Sequence, residues 1–413
     1  MSVATLDDCA ARDAADPLAR HRDAFVLPEE VIYLDGNSLG ALPKTVAARL
    51  QSAVTEDWGQ GLVRSWNDAA WIDLPAKLGA KIAPLIGAAA KDVIVADSTS
   101  VNLFKLLVAA LRLRPDRRTI LMEARDFPTD LYIAQGVAAL MGDGYNCRIV
   151  PTKELAAAID GTIAVVALTH VNFKTGAVHD MAGLTARSHR AGALTIWDLC
   201  HTAGALPVDL AGADVDFALG CTYKYLNGGP GAPAFVYVPK SLQAEFHQPL
   251  TGWMGHADPF SFVDDYAPAD GIRRALSGTP TILSMVALDA ALDVWADVDM
   301  TALRAKSVAL GDLFIQLVEA RCAGQGFTLA SPRDGTRRGS QVSFRHPHGY
   351  AVMQALIARG VIGDFRAPDI VRFGFAPLYI GYVDVWQAAD ALFDIMETRA
   401  WDTPRFKTRA AVT

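Results

Sequence analysis

Five cysteines in 413 residues, scattered and without a C-x-x-C pair, leave little material for a disulfide framework or a thiolate metal cluster. Reduced thiols in a cytoplasmic chain are expected. Long apolar runs are also missing, since charges or glycines break every stretch before the ~18 residues that a membrane helix needs. The opening MSVATLDDCAARDAADPLAR has acids where a secretion signal needs basic residues and an apolar core. There is no basic excess, and a net charge of -7 argues against nucleic acid or an anionic membrane as the main partner. Local cations can still hold a small anionic ligand. No G-x-G-x-x-G follows an early strand, which excludes a nicotinamide dehydrogenase. Internal repeats, low-complexity segments and long flexible linkers are absent too.

What the chain has instead is size and alternation. At 413 residues, 51% hydrophobic and 20% charged, it exceeds what a single core usually serves, so two domains are expected. From about residue 90, short β-rich runs alternate with helical ones: DVIVAD then NLFKLLVAALRL, RTILMEA then TDLYIAQGVAALM, TIAVVAL then MAGLTARSHRAG, followed by ALTIWD, DFALG and PAFVYV. That order predicts a mostly parallel sheet between layers of helices. After LSGTPTI come a long helical stretch from about 281 to 324, strand candidates FTLAS and QVSFR, and helices near GYAVMQALIARG and VDVWQAADALFDIMETRA. This suits a smaller α+β domain. RPDRR at 114–118 reads as a solvated turn.

Open α/β sheets bind ligands beyond the carboxyl ends of their strands, so polar residues there are the candidates. Asp198 ends ALTIWD; buried at a strand end it needs a cation or a strong donor, unless it only caps a helix over LCHTAGAL. Ser98, Thr99 and Ser100 stand between a strand and a helix, where hydroxyls and free amides make either a phosphate site or an ordinary cap. Phe127, ahead of Pro128, either closes the core or covers a planar ligand. Lys224 sits in GCTYKYLNGGPG, after a strand and before glycines that permit positive φ and close backbone approach. A lysine there is a snorkelling surface residue or, if desolvated, a nucleophile toward carbonyls. Each piece is weak alone. In this order along one α/β domain, they are what pyridoxal 5'-phosphate requires: phosphate donors, a ring cover, a carboxylate for the pyridinium nitrogen and an aldehyde-binding lysine. On that reading Asp198 keeps the ring nitrogen protonated and Lys224 holds the aldehyde and shuttles protons. Tyr223 reaches the phosphate and takes part in proton transfer, and His201 bonds the ring hydroxyl.

The segments YLDGNSLGALP, DSTSVNLFK, DFPTD, THVNFKTG, WDLCHTAG, GCTYKYLNGGPGAPAFVYV, GWMGH and RFGFAPLY, in unbroken order from about residue 30 to 380, together resemble the kynureninase family. The resemblance implies the type I fold of the pyridoxal phosphate enzymes: a large α/β domain with a mostly parallel, seven-stranded-type sheet and a smaller α+β C-terminal domain. The corresponding boundaries are an N-terminal arm over 1–45, the large domain over 46–285 and the small domain over 286–413. It also implies a homodimer with shared active sites that hydrolyses L-kynurenine to anthranilate and L-alanine in tryptophan catabolism. Position by position, Thr99 and Ser100 fall on the phosphate-binding pair, Phe127 on the ring-stacking position and Thr169 and Asp198 near the pyridine ring. His201 falls beside that ring, Tyr223 on a phosphate contact and Lys224 on the lysine that binds the cofactor. Trp253 and Thr279 match positions supplied by the second subunit, and Arg372 matches the arginine that receives the substrate carboxylate. Thr279 stands where animal members carry asparagine, which leaves the choice between kynurenine and 3-hydroxykynurenine open while leaning toward the former.

The nearest rival is a cysteine desulfurase or aminotransferase of the same fold. A desulfurase would place a histidine before the lysine and a cysteine on a mobile loop in the last third; here Tyr223 precedes Lys224, and Cys322 ends a helical pattern. A non-catalytic ligand sensor on this fold is the other alternative. Competent residues at every expected position argue against it.

Overall fold

A computed structural model describes residues 4–409. The alternating runs form one seven-stranded sheet from β1 (Val93–Val95), β2 (Thr119–Glu123), β3 (Asn146–Val150), β4 (Ile163–Thr169), β5 (Leu194–Asp198), β6 (Phe217–Gly220) and β7 (Phe235–Tyr237). Their order is β1-β7-β6-β5-β4-β2-β3. The strands β2 to β6 run parallel, and β7 is antiparallel to both of its neighbours. Every residue of β4 is buried, as a strand covered on both faces requires. At the edge, β3 leaves Asn146, Arg148 and Ile149 exposed. With no apolar run, this strand escapes a search for hydrophobic segments.

Helices α1 (Thr99–Arg112), α2 (Pro128–Met141) and α3 (Met181–Ala191) follow the strands as expected. Asp180 caps α3 by accepting the Gly183 N–H at 2.9 Å, and Gly192, at φ +79°, ends it. The turn at 114–118 is not merely solvated. Arg114 donates to the Gly192 carbonyl at 2.9 Å and Arg117 to the Ala191 carbonyl at 2.6 Å, satisfying acceptors that α3 leaves at its end.

The expected helical stretch over 281–324 is two helices, α4 (Ile282–Leu292) and α5 (Met300–Arg321). Asp299 separates them, because its side chain accepts the Thr301 N–H at 2.8 Å and starts a new helix. Beyond α5, β8 (Thr328–Leu329), β9 (Gln341–Arg345), β10 (Asp364–Arg366) and β11 (Ile370–Gly374) form an antiparallel sheet in the order β8-β9-β11-β10. Helix α6 (Gly349–Ile357) packs beside it, and α7 (Tyr382–Glu397) packs on α5 and α6. Phe314 of α5 joins helix to sheet, its ring centroid 4.6 Å from that of Phe373 and 5.6 Å from that of Phe375.

Residues 4–40 are fastened to the last part of the chain. Helix Leu6–Ala14 packs on α7, whose first amides at Tyr382 and Val383 donate to Asp13 at 2.7 and 2.9 Å. Ile32–Tyr33 pairs in parallel with Val361–Ile362, and the Gly40 N–H then reaches the Tyr223 carbonyl at 2.8 Å. The segment therefore runs from the small sheet to the turn that carries Lys224. Among the described residues no helix is long and apolar enough to cross a membrane.

Candidate active site

The carboxyl ends of β2, β4, β5 and β6 converge on a cavity of about 200 Å³ lined by Thr99, Ser100, Phe127, Thr129, Asp130, Thr169, Phe173, Asp198, Cys200, His201, Tyr223 and Lys224. Of the residues singled out in the sequence, eight meet here: Thr99, Ser100, Phe127, Thr169, Asp198, His201, Tyr223 and Lys224. Trp253 and Thr279 are exposed and do not line this cavity. Arg372 lies behind it, 1% exposed.

Lys224 owes its place to the backbone around it. Asn227 adopts φ +59°, Gly229 φ +88° and Gly231 φ +76°, so the chain turns back right after β6. Gly40 is the seat of that turn: a Cβ on it would lie 2.2 Å from the Lys224 carbonyl oxygen. The Lys224 ammonium is half-buried, 3.0 Å from His201 Nε2 and within 6 Å of the Phe127 and Tyr223 ring centroids. It is not the snorkelling surface lysine of the ordinary alternative.

His201 is buried, and burial, followed by the positive charges of Lys224, Arg372 and Arg366, pushes its pKa well below the ordinary value. A neutral ring that accepts from Lys224 at Nε2 carries its proton on the buried Nδ1, on the side of the Gln341 side chain. Asp198 accepts the Cys200 N–H at 2.6 Å. LCHTAGAL forms successive turns rather than a helix, so Asp198 is not a helix cap.

Two acids that the sequence reading passed over complete the geometry. Asp130 is 4% exposed and faces Asp198; burial, then the charges of Asp198 and Asp126, raise its pKa well above the carboxylate range. The rise favours the protonated form, which can donate to Asp198. The signal was in DFPTD, but an acid in a helix's first turn reads as an ordinary partner of the helix dipole. Asp126, 2% exposed, accepts from the Phe127 N–H at 2.8 Å, the Thr169 N–H at 3.1 Å and the Thr169 hydroxyl. It fixes both the loop that carries Phe127 and the end of β4. Burial raises its pKa to about 6, with these bonds opposing the rise. The Thr169 hydroxyl is thus engaged with Asp126.

Phe127 is 41% exposed, and its ring meets Phe173 edge-on at 5.2 Å. Thr99 and Ser100 open the first turn of α1, and Ser98 caps it by accepting the Val101 N–H at 3.4 Å. The capping alternative thus holds for Ser98 and leaves its two neighbours facing the cavity. Burial, then the Cys221 and Cys200 thiols, raises the Tyr223 phenol, so it keeps its proton.

The C-terminal part, residues 303–392, matches the family profile described as the kynureninase C-terminal domain. A kynureninase of Burkholderia mallei is 56% identical over 99% of this chain and 100% of its own length. The kynureninase of Pseudomonas fluorescens is 55% identical over the full length of both. The chain belongs to the kynureninase family. Its fold is that of the type I pyridoxal phosphate enzymes, shared with the apo cysteine desulfurase of Thermococcus onnurineus NA1 at TM-score 0.77 and 19% identity, over 92% of this chain and 98% of that one. A lysine-to-alanine mutant of C-DES, with glycine covalently linked to its cofactor, aligns at TM-score 0.77 and 18% identity over 90% and 98% of the two chains. The desulfurase likeness is one of fold alone. Cys322 is 3% exposed beyond the end of α5 and outside the cavity, and burial raises its thiol to about 11, as for a structural cysteine.

Proposed function

We propose that the chain is a pyridoxal 5'-phosphate-dependent hydrolase of carbon–carbon bonds that cleaves L-kynurenine to anthranilate and L-alanine. It works as a cytoplasmic homodimer, with an arm over 1–45, a cofactor domain over 46–285 and a small domain over 286–413. The observation that carries this reading is the meeting of Lys224, His201, Asp198 and Asp130 in one cavity of a chain more than half identical to kynureninases.

The residues fit the cofactor. Thr99 and Ser100 offer hydroxyls and free amides at a helix N-terminus to its phosphate, with the Tyr223 phenol as a further donor. Phe127 covers its ring, and His201, held at Lys224 through Nε2, lies beside the ring hydroxyl. Bound at Lys224, the cofactor supplies an electron sink for negative charge developing on the substrate. Asp198 keeps that sink protonated, and Asp130, holding its own proton, orients the Asp198 carboxylate. Lys224 is placed to take and return the proton at the substrate's α-carbon, and neutral His201 holds its amine in position. Tyr223, with its raised pKa, is a proton donor rather than a base.

Trp253 and Thr279 act in the partner's site on this reading. A second copy would also cover an apolar groove of about 800 Å³ lined by Leu42, Val46, Val54 and Leu283. Incubation with pyridoxal phosphate and L-kynurenine should yield anthranilate and alanine in equal amounts. 3-Hydroxykynurenine should show a lower kcat/KM. Release of sulfur from cysteine without kynurenine cleavage would favour the desulfurase reading instead.

A further inference from the structure

The family resemblance implies that Arg372 offers its guanidinium fork to a substrate carboxylate, yet the structure commits that fork elsewhere. Arg372 Nε donates to Asp364 Oδ1 at 2.8 Å, and Nη2 donates to Asp364 Oδ2. Nη1 reaches the Phe173 carbonyl at 2.6 Å, and Nη2 also reaches Ser38 Oγ at 2.9 Å. A guanidinium has five N–H donors. One Nη1 N–H is therefore left without a partner among the described residues. An arginine forked onto one aspartate is a neutral pair and holds little charge for an anion.

Asp364 is not held by Arg372 alone. Arg366 Nη2 lies 2.6 Å from its Oδ2, and the Ser38 hydroxyl donates to it at 2.9 Å. Both Asp364 and Arg372 have side chains 1% exposed, whereas Arg366 is 36% exposed. Arg366 Nε and Nη1 have no partner among the described residues. A second acid, Asp35, adjoins the group, its Oδ1 buried without a hydrogen-bond partner. Burial and repulsion from Asp364 raise its pKa to about 7, against the pull of Arg372. With Asp35 protonated, two guanidiniums share one carboxylate and the cluster keeps one positive charge. That charge falls on Arg366, partly exposed and with free N–H groups, where an arriving anion can pair with it.

We propose that the substrate's α-carboxylate is received by this cluster rather than by Arg372 alone: Asp364 positions Arg372, and Arg366 neutralises Asp364 so that a positive charge remains for the substrate. The inference rests on the proposed function, because it assumes an amino acid at Lys224. The competing account is a structural one, in which Asp364 and Arg372, facing each other across β10 and β11, merely tie the strands together.

The test uses the holoenzyme and two probes, L-alanine and L-alaninamide, read by the change each causes in the cofactor's absorbance. The amide lacks the carboxylate charge. Arg366→Gln should weaken L-alanine binding about ten- to a hundredfold, the range expected for one charge-assisted bond, while alaninamide and cofactor binding stay unchanged. For L-kynurenine, KM should rise more than kcat falls. Asp364→Asn adds a positive charge yet should also weaken L-alanine, since Arg372 loses its mould; tighter binding would overturn the positioning role. Unchanged L-alanine affinity in Arg366→Gln, or equal losses for both probes, would overturn the inference. Should Arg366→Gln lose the cofactor, Arg366→Lys decides: restored preference for alanine over its amide supports the cluster, and its absence overturns it. A wild type that shows this preference but does not cleave kynurenine contradicts the proposed function and leaves the subsite standing.

Discussion

Asp130 and Asp198 show how two identical side chains take different parts. Burial and then the Asp198 and Asp126 charges raise the Asp130 pKa well above the carboxylate range, which favours its protonated form as a donor to Asp198. Asp130→Asn preserves a donor toward Asp198, so kcat/KM should stay within about tenfold of wild type, whereas Asp130→Ala should lose roughly ten- to a hundredfold. Equal damage from both would mean that an ionised Asp130 is needed. His170 gives a second prediction at this scale. Buried beside Thr202 and Trp197, it is neutral in the fold, burial lowering its pKa from 6.5 to about 4. A depressed histidine leaves stability intact above the unfolded pKa and loses it as pH falls from 6.5 through 4, by about 3 kcal/mol in full. His170→Gln should flatten the fall in thermal midpoint between pH 6.5 and 4; an unchanged slope would assign the acid sensitivity elsewhere. Single residues were also where the sequence was least legible. Lys224 and Asp198 stood out by position, while Asp130, Asp126 and Asp364 looked like ordinary acids, because only the fold brings them to their partners.

At the scale of elements, the apolar runs of β1, β2 and β4 to β7 made their strands readable, since strands covered on both faces are hydrophobic along most of their length. Edge strand β3 was hidden by its polar exposed residues, and the break between α4 and α5 by a cap in a continuously helical composition. The site lies where those readable strands end, which is why most of it could be listed before the fold was seen. The contact between YLDGNSLG and the Lys224 turn could not. It joins residues far apart in sequence, and it makes Gly40 indispensable: a methyl group there would meet the Lys224 carbonyl oxygen at 2.2 Å and Asn227 Cα at 2.8 Å. Backbone atoms cannot swing aside as a flexible side chain can. Gly40→Ala should cost about 1–3 kcal/mol and weaken cofactor binding. Gly136→Ala, on α2 with nothing within 4 Å of the new Cβ, is the control and should be neutral or slightly stabilising. Similar melting points and cofactor affinities in the two variants would refute a special role for Gly40.

For the whole molecule, the N-terminal segment ties the two sheets together, linking α7 and β11 to the turn that presents Lys224. Trp253 and Thr279 remain outside the chain's own cavity, as the proposed homodimer with shared sites requires. Sedimentation should find a dimer. Mixing Lys224→Ala with Trp253→Ala under conditions of subunit exchange should restore some activity, because mixed dimers carry one site with both residues intact; no recovery would assign each site to one chain. The central claim is that kynurenine is cleaved at Lys224, and it is tested most directly by comparing wild type with Lys224→Ala, both given pyridoxal phosphate and L-kynurenine. Wild type should release anthranilate and alanine one for one, and borohydride should fix the cofactor on the peptide containing Lys224. The variant should do neither while remaining folded. Kynurenine cleavage that survives in Lys224→Ala, or a label on another peptide, would contradict the account.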